Sequence, residues 1–199
     1  DKNQIIKDFS GIENLIVSDD NVNMGNYPKE SKIINYQDFI LMNEFLPLIK
    51  IKNIILPSGW KPLKVTKISG VLISFVRFGG NLLIFHAPMG RIGSNRNLFN
   101  WLPYDLSRIS FVHSNSTQGI NGYFTFPFGE EFLFTTKEKY DETEKNSKRY
   151  SILFTKYNRG LFIFIGFEES KPLFEKYINP IRIDVNINSA SKAWTFRHI

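Results

Sequence analysis

Apolar positions along this chain come in short bursts rather than long stretches. From Ile33 onward the bursts run to about five to nine residues, broken by Gly, Pro, Asn and Ser, with about 10 to 25 residues between them. Ile181 to Ile187 reads IRIDVNI, which places Ile181, Ile183, Val185 and Ile187 on one face and Arg182, Asp184 and Asn186 on the other. Asn121 to Phe128 alternates in the same way, with Phe124, Phe126 and Phe128 opposite Tyr123 and Thr125. Further strands are expected at Gly70 to Phe78 (GVLISFVRF), Asn81 to Ala87, Glu131 to Thr136, Tyr150 to Lys156 and Leu161 to Phe167. The pair Gly79 and Gly80 suits a hairpin or a strand bend, because glycine takes positive φ freely. Asn158, Arg159 and Gly160 carry turn chemistry between the next two strands. Leu161 to Ile165 is apolar on both faces, which implies a strand covered on both sides or one abutting a partner.

One segment has helical spacing: Phe39, Ile40, Met42, Phe45 and Leu46 within Tyr36 to Leu46. With at least seven strands expected after Ser31 and no long helix between consecutive ones, the reading is all-β, as a sandwich, jelly roll or barrel. Residues 1–31 are polar, rich in Asn and Asp, and interrupted by Gly11, Gly25 and Pro28, with a brief apolar cluster at Leu15, Ile16 and Val17. They read as an extended N-terminal arm before a domain over 32–199. The loop Lys137 to Arg149 carries both charge signs and reads as a solvated excursion.

Composition narrows the chemistry. The 199 residues are 42% hydrophobic and 15% aromatic, enough for one sizeable core. The absence of cysteine removes disulfides, thiolate nucleophiles and cysteine-based metal sites. A net charge of +6 permits polyanion contact but no Lys/Arg run marks a nucleic-acid arm. The chain begins at Asp1, which reads as a processed product, and no apolar stretch approaches the roughly 20 residues of a membrane span.

Catalysis has no starting motif. His86, His113 and His198 lie on separate segments without a partner at metal-ligand spacing. No nucleophile elbow, P-loop or dinucleotide fingerprint is present, and adjacent Glu130 and Glu131 diverge rather than face one bond. Gly90 to Gly93 forms a G-x-x-G without the flanking helices that a nucleic-acid clamp needs, and Asn115 to Thr117 is a glycosylation triplet of a kind that arises by chance. The sequence therefore implies no catalytic, metal or cofactor residues and no enzyme.

Four stretches in order resemble the capsid proteins of picorna-like viruses, especially the small RNA viruses of insects. They are Ile68 to Gly90, His113 to Phe128, Leu161 to Pro180, and Ile181 to His198 with Trp194, Phe196 and Arg197 in its tail. The resemblance implies an eight-stranded antiparallel jelly-roll sandwich with an N-terminal arm. It implies a structural subunit cut from a polyprotein and found in the virion and, during assembly, the host cytoplasm. Its implied partners are other capsid chains of a hetero-oligomeric icosahedral shell, with weak non-specific contact to genomic RNA, for which Lys2 and Lys7 are candidates although they read first as solvated surface charges. The other reading from the residues is a ligand- or carbohydrate-binding β-sandwich module of a bacterial surface protein, with Tyr123, Trp101 and Tyr104 as stacking candidates.

Overall fold

The computed structural model describes residues 1–85, 100–103, 110–113, 120–125, 132–136, 152–165, 168–178, 181–188 and 193–198. Its centre is a mixed sheet in the order β2-β1-β3-β4-β9-β8-β7-β6-β5. Here β1 is Asn14–Val17, β2 Ser31–Ile34, β3 Asn53–Leu56, β4 Asn81–Phe85 and β5 Ser110–His113. They are followed by β6 Ile120–Thr125, β7 Phe132–Thr136, β8 Ile152–Tyr157 and β9 Gly160–Ile165. The first five in spatial order, β2 to β9, run parallel, and β8 to β5 continue the sheet antiparallel. Two further strands, β10 (Ile181–Asn188) and β11 (Ala193–His198), pair antiparallel as a separate ribbon.

Three helices precede β4: α1 (Lys2–Asp8), α2 (Tyr36–Leu41) and α3 (Pro62–Arg77). They cover one face of the sheet. Val65, Ile68, Leu72 and Val76 of α3, with Phe9, Phe39 and Met42, pack on Leu15, Val17, Ile54, Leu56, Leu82, Ile84, Phe162 and Phe164. The opposite face carries Ile16, Ile55, Leu83, Phe85, Ile163 and Ile165, covered by Tyr27 from the β1–β2 connection and by Leu173, Phe174 and Ile178. Strands buried on both faces read as unbroken apolar runs, which is why β1, β3 and β9 are apolar at almost every position.

This architecture overturns the all-β jelly-roll expectation. The decisive difference is Gly70 to Phe78, which is not a strand but the second half of α3. Its buried positions fall at helical spacing, and packing of that stripe on the sheet outweighs the strand preference of its β-branched residues. Gly79, at φ 114°, ends the helix instead of turning a hairpin. The extended arm is also absent from residues 1–31: they supply α1 and the fully buried strand β1, whose apolar cluster Leu15 to Val17 lies at the heart of the sheet. Strands do form where alternation and turn chemistry place them at β6, β7, β8, β9 and β10, and Asn158, at φ 52°, begins the two-residue turn joining β8 to β9. A short helix forms within Tyr36 to Leu46 as α2.

Candidate functional site at the strand crossover point

The strand order 2-1-3-4 has a physical consequence for binding. After β1 the chain crosses to the face carrying Tyr27, while after β3 it crosses to the face carrying α3. Neighbouring parallel strands whose connections part to opposite faces leave a crevice at their C-terminal ends, the usual ligand position in open α/β sheets. That crevice exists. It is lined by Ser18, Asp19, Asp20 and Asn21 after β1, by Ser58, Gly59, Trp60 and Lys61 after β3, and by Tyr36 and Lys64 from α2 and α3. Its volume is about 50 Å³, so it admits the edge of a small molecule rather than enclosing one.

Asp19 fixes one wall. Its carboxylate accepts the backbone N–H of Tyr36, the first residue of α2, at 3.0 Å and the Nζ of Lys64, in the first turn of α3, at 2.5 Å. One side chain therefore ties the β1 loop to the starts of two helices. The Lys64 hydrogen bond, then that of the Tyr36 N–H, holds the Asp19 carboxyl below its ordinary value, and the same contact with Asp19 raises the Lys64 ammonium. Burial, followed by the charges of Asp19 and Asp20, pushes the Tyr36 phenol up to about 12.

The opposite wall is the β3 loop. Trp60 donates its indole N–H to the carbonyl of Phe85 at the end of β4, at 3.2 Å, and meets Trp101 edge to face at 6.2 Å between ring centroids. Its ring is thereby locked. Gly59 takes φ 85°, and a Cβ there would meet no atom within 4 Å, so the loop tip is open. The Ser58 N–H donates to the carboxylate of Glu169, which anchors the loop to the segment after β9. The Ser58 hydroxyl is buried and has no partner among the described residues. Lys61 precedes α3 without a side-chain cap on its first N–H groups.

A second concavity of about 530 Å³ lies along β2, the outermost strand of the sheet among the described residues, lined by Phe9, Lys32, Ile33, Ile34, Leu41 and Met42. It is wide and mostly apolar. At the other end of the sheet, Asn53 donates its amide to Asn14 at 2.8 Å and accepts that of Asn81 at 3.1 Å. This ladder joins the first residues of β1, β3 and β4 and satisfies two buried side chains.

Of the residues nominated from sequence, those that the structure describes do not meet in the crevice. Trp101 is 5% exposed and packed on Trp60, so it supports the wall rather than offering a stacking face. Tyr123 lies in β6 and His113 in β5, far along the sheet order, and His198 ends β11 opposite Ile181. His86, Tyr104, Glu130, Glu131, the G-x-x-G at 90–93, the triplet at 115–117 and the loop 137–149 lie outside the described residues. Lys2 and Lys7 are exposed on α1. Among the described residues no three His, Asp or Glu side chains stand close enough to hold a metal ion, and no helix is long and apolar enough to cross a membrane. The signal for the crevice that does form is an apolar run followed directly by polar turn residues, in LIV-SDDN and IIL-PSGWK.

No family model and no curated protein matches this sequence. Among solved structures, the chain is similar to a β-galactosidase from Bacillus circulans sp. alkalophilus, at 9% identity and a TM-score of 0.43. The match covers 87% of this chain and spans 33% of that one.

Proposed function

We propose that this chain is a non-catalytic ligand-binding module that holds a small polar molecule in the crevice between β1 and β3. The observation that carries the reading is the convergence of unpaired polar groups at the strand crossover point. Asp20, Asn21 and Lys61 line the crevice with no side-chain hydrogen-bond partner among the described residues, and the hydroxyl of Ser58 in the β3 loop is buried and likewise unpartnered. Unpaired polar groups in a cleft are available to a ligand at no cost in broken protein contacts.

The non-catalytic part rests on protonation. Asp19 is held ionised by Lys64, and Lys64 is held charged by Asp19, so neither is poised to exchange a proton near neutral pH. Among the described residues that line the crevice there is no histidine, and the chain has no cysteine.

A shift in melting temperature tests the reading. A panel of neutral, anionic and cationic small molecules at millimolar concentration is expected to contain members that stabilise the parent chain, with the shift reduced in Asp20→Ala and Lys61→Ala. Equal stabilisation of parent and both variants by every active compound contradicts it.

A further inference from the structure

The proposed binding role leaves the class of ligand open, and the charges and shape of the crevice narrow it. Two acids, Asp19 and Asp20, face two bases, Lys61 and Lys64. Asp19 already occupies the anion position at the start of α2 and on Lys64, so one of the two lysines of the crevice is neutralised by the protein itself. A free anion would meet Asp20 as well as Lys61, and a free cation would meet Lys61 as well as Asp20. Neither ion gains a net field.

What remains is a mixed set of donors and acceptors. Lys61 donates, Asp20 accepts, and Asn21 does both. Adjacent hydroxyl groups on one carbon ring or chain ask for this mixture, because each hydroxyl donates once and accepts at its lone pairs. The half-buried indole of Trp60, held by Phe85 and Trp101, supplies an apolar surface beside those groups. Its fixed position costs no ordering on binding. The shallow volume fits an edge bearing two neighbouring hydroxyls, with the rest of the molecule in solvent.

Resting on the reading of the crevice as a ligand site, we propose that it takes the diol edge of a neutral polyhydroxylated molecule of the monosaccharide or cyclitol class. The shallow contact sets the dissociation constant in the millimolar range, roughly −4 kcal/mol at 1 mM.

The experiment is amide and indole chemical-shift mapping on the full 199-residue chain, titrated separately with D-glucose, D-mannose, myo-inositol, inorganic phosphate, acetate and ethanolamine. The expected result is saturable shifts at the Trp60 indole N–H and at amides of 18–22 and 58–64 with at least one polyol, and none with the three ions. Binding should weaken about fivefold or more in Asp20→Ala and in Lys61→Ala, whose exposed side chains leave the fold intact, since each loses about 1 kcal/mol of hydrogen bonding. Shifts of the same amides with phosphate, acetate or ethanolamine alone overturn the polyol assignment while keeping the crevice as a ligand site. Absence of crevice shifts with all six compounds overturns the polyol assignment too, and with the failure of the melting panel it removes the binding role itself.

Discussion

A methyl group added at Gly160 would lie 2.1 Å from the carbonyl oxygen of Val76 and 2.2 Å from that of Gly80. Both obstacles are backbone, so neither can swing aside, and Gly160→Ala is expected to lose about 3 kcal/mol in denaturant unfolding. Gly70 gives the reverse result. It is exposed in the middle of α3 with nothing near its missing Cβ, and Gly70→Ala should gain about 0.5 to 1 kcal/mol in the same assay. Asp19 makes stability depend on pH. Because its folded value lies below 3.8, its contribution is present above the unfolded value and is lost as pH falls through the folded one. Asp19→Asn should therefore be less stable than the parent at pH 7, with the gap closing in acid and shrinking in high salt, as thermal melts across pH would register. Tyr36 acts at the alkaline end. Its raised value means that its contribution is complete below pH 10 and lost as pH rises through about 12. Phenolate absorbance should show that Tyr36→Phe removes one group that titrates near pH 12.

Legibility differed between kinds of element. Strands with an alternating pattern or a marked turn were readable, since alternation in Ile181 to Ile187 and turn chemistry at Asn158 carry their own signal. A doubly buried strand gives only an apolar run, and β1 is four residues long inside a polar stretch, so Leu15 to Val17 resembled a stray cluster in an arm. The same pattern in Leu161 to Ile165 implies either cover on both sides or an abutting partner, and α3 and the segment with Leu173 and Phe174 provide the cover. Helix α3 was hidden by its β-branched residues and by the glycine pair that follows it. The stripe Val65, Ile68, Leu72 and Val76 was the available counter-signal, and losing this helix from the reading removed the crossover that makes the sheet parallel. Packing of that stripe on the sheet is testable: Leu72→Ala is expected to cost about 2 to 5 kcal/mol. The asparagine ladder was not legible, because Asn14, Asn53 and Asn81 meet only once three strands align. Asn53→Leu strands the amides of Asn14 and Asn81 and should cost about 1 to 3 kcal/mol in equilibrium unfolding.

At the scale of the molecule, the candidate site follows from connectivity more than from any motif. No single residue of the SDDN or PSGWK segments marks a site, and the two lie nearly 40 residues apart in sequence. They become neighbours because β1 and β3 pair in parallel while their connections leave to opposite faces. The sequence residues considered for stacking were chosen for aromaticity, whereas the crevice is built from polar turns beside one locked indole. The second groove, at the edge of β2, offers the obvious competitor as a binding surface. The measurement that separates them is residue-resolved mapping of a diverse fragment library on the assigned amide spectrum of the whole chain. Bound fragments are expected to perturb amides of 18–22 and 58–64 together, the two loops at the ends of β1 and β3. Perturbations confined to 31–42 along the β2 edge, or scattered without either loop, would contradict it.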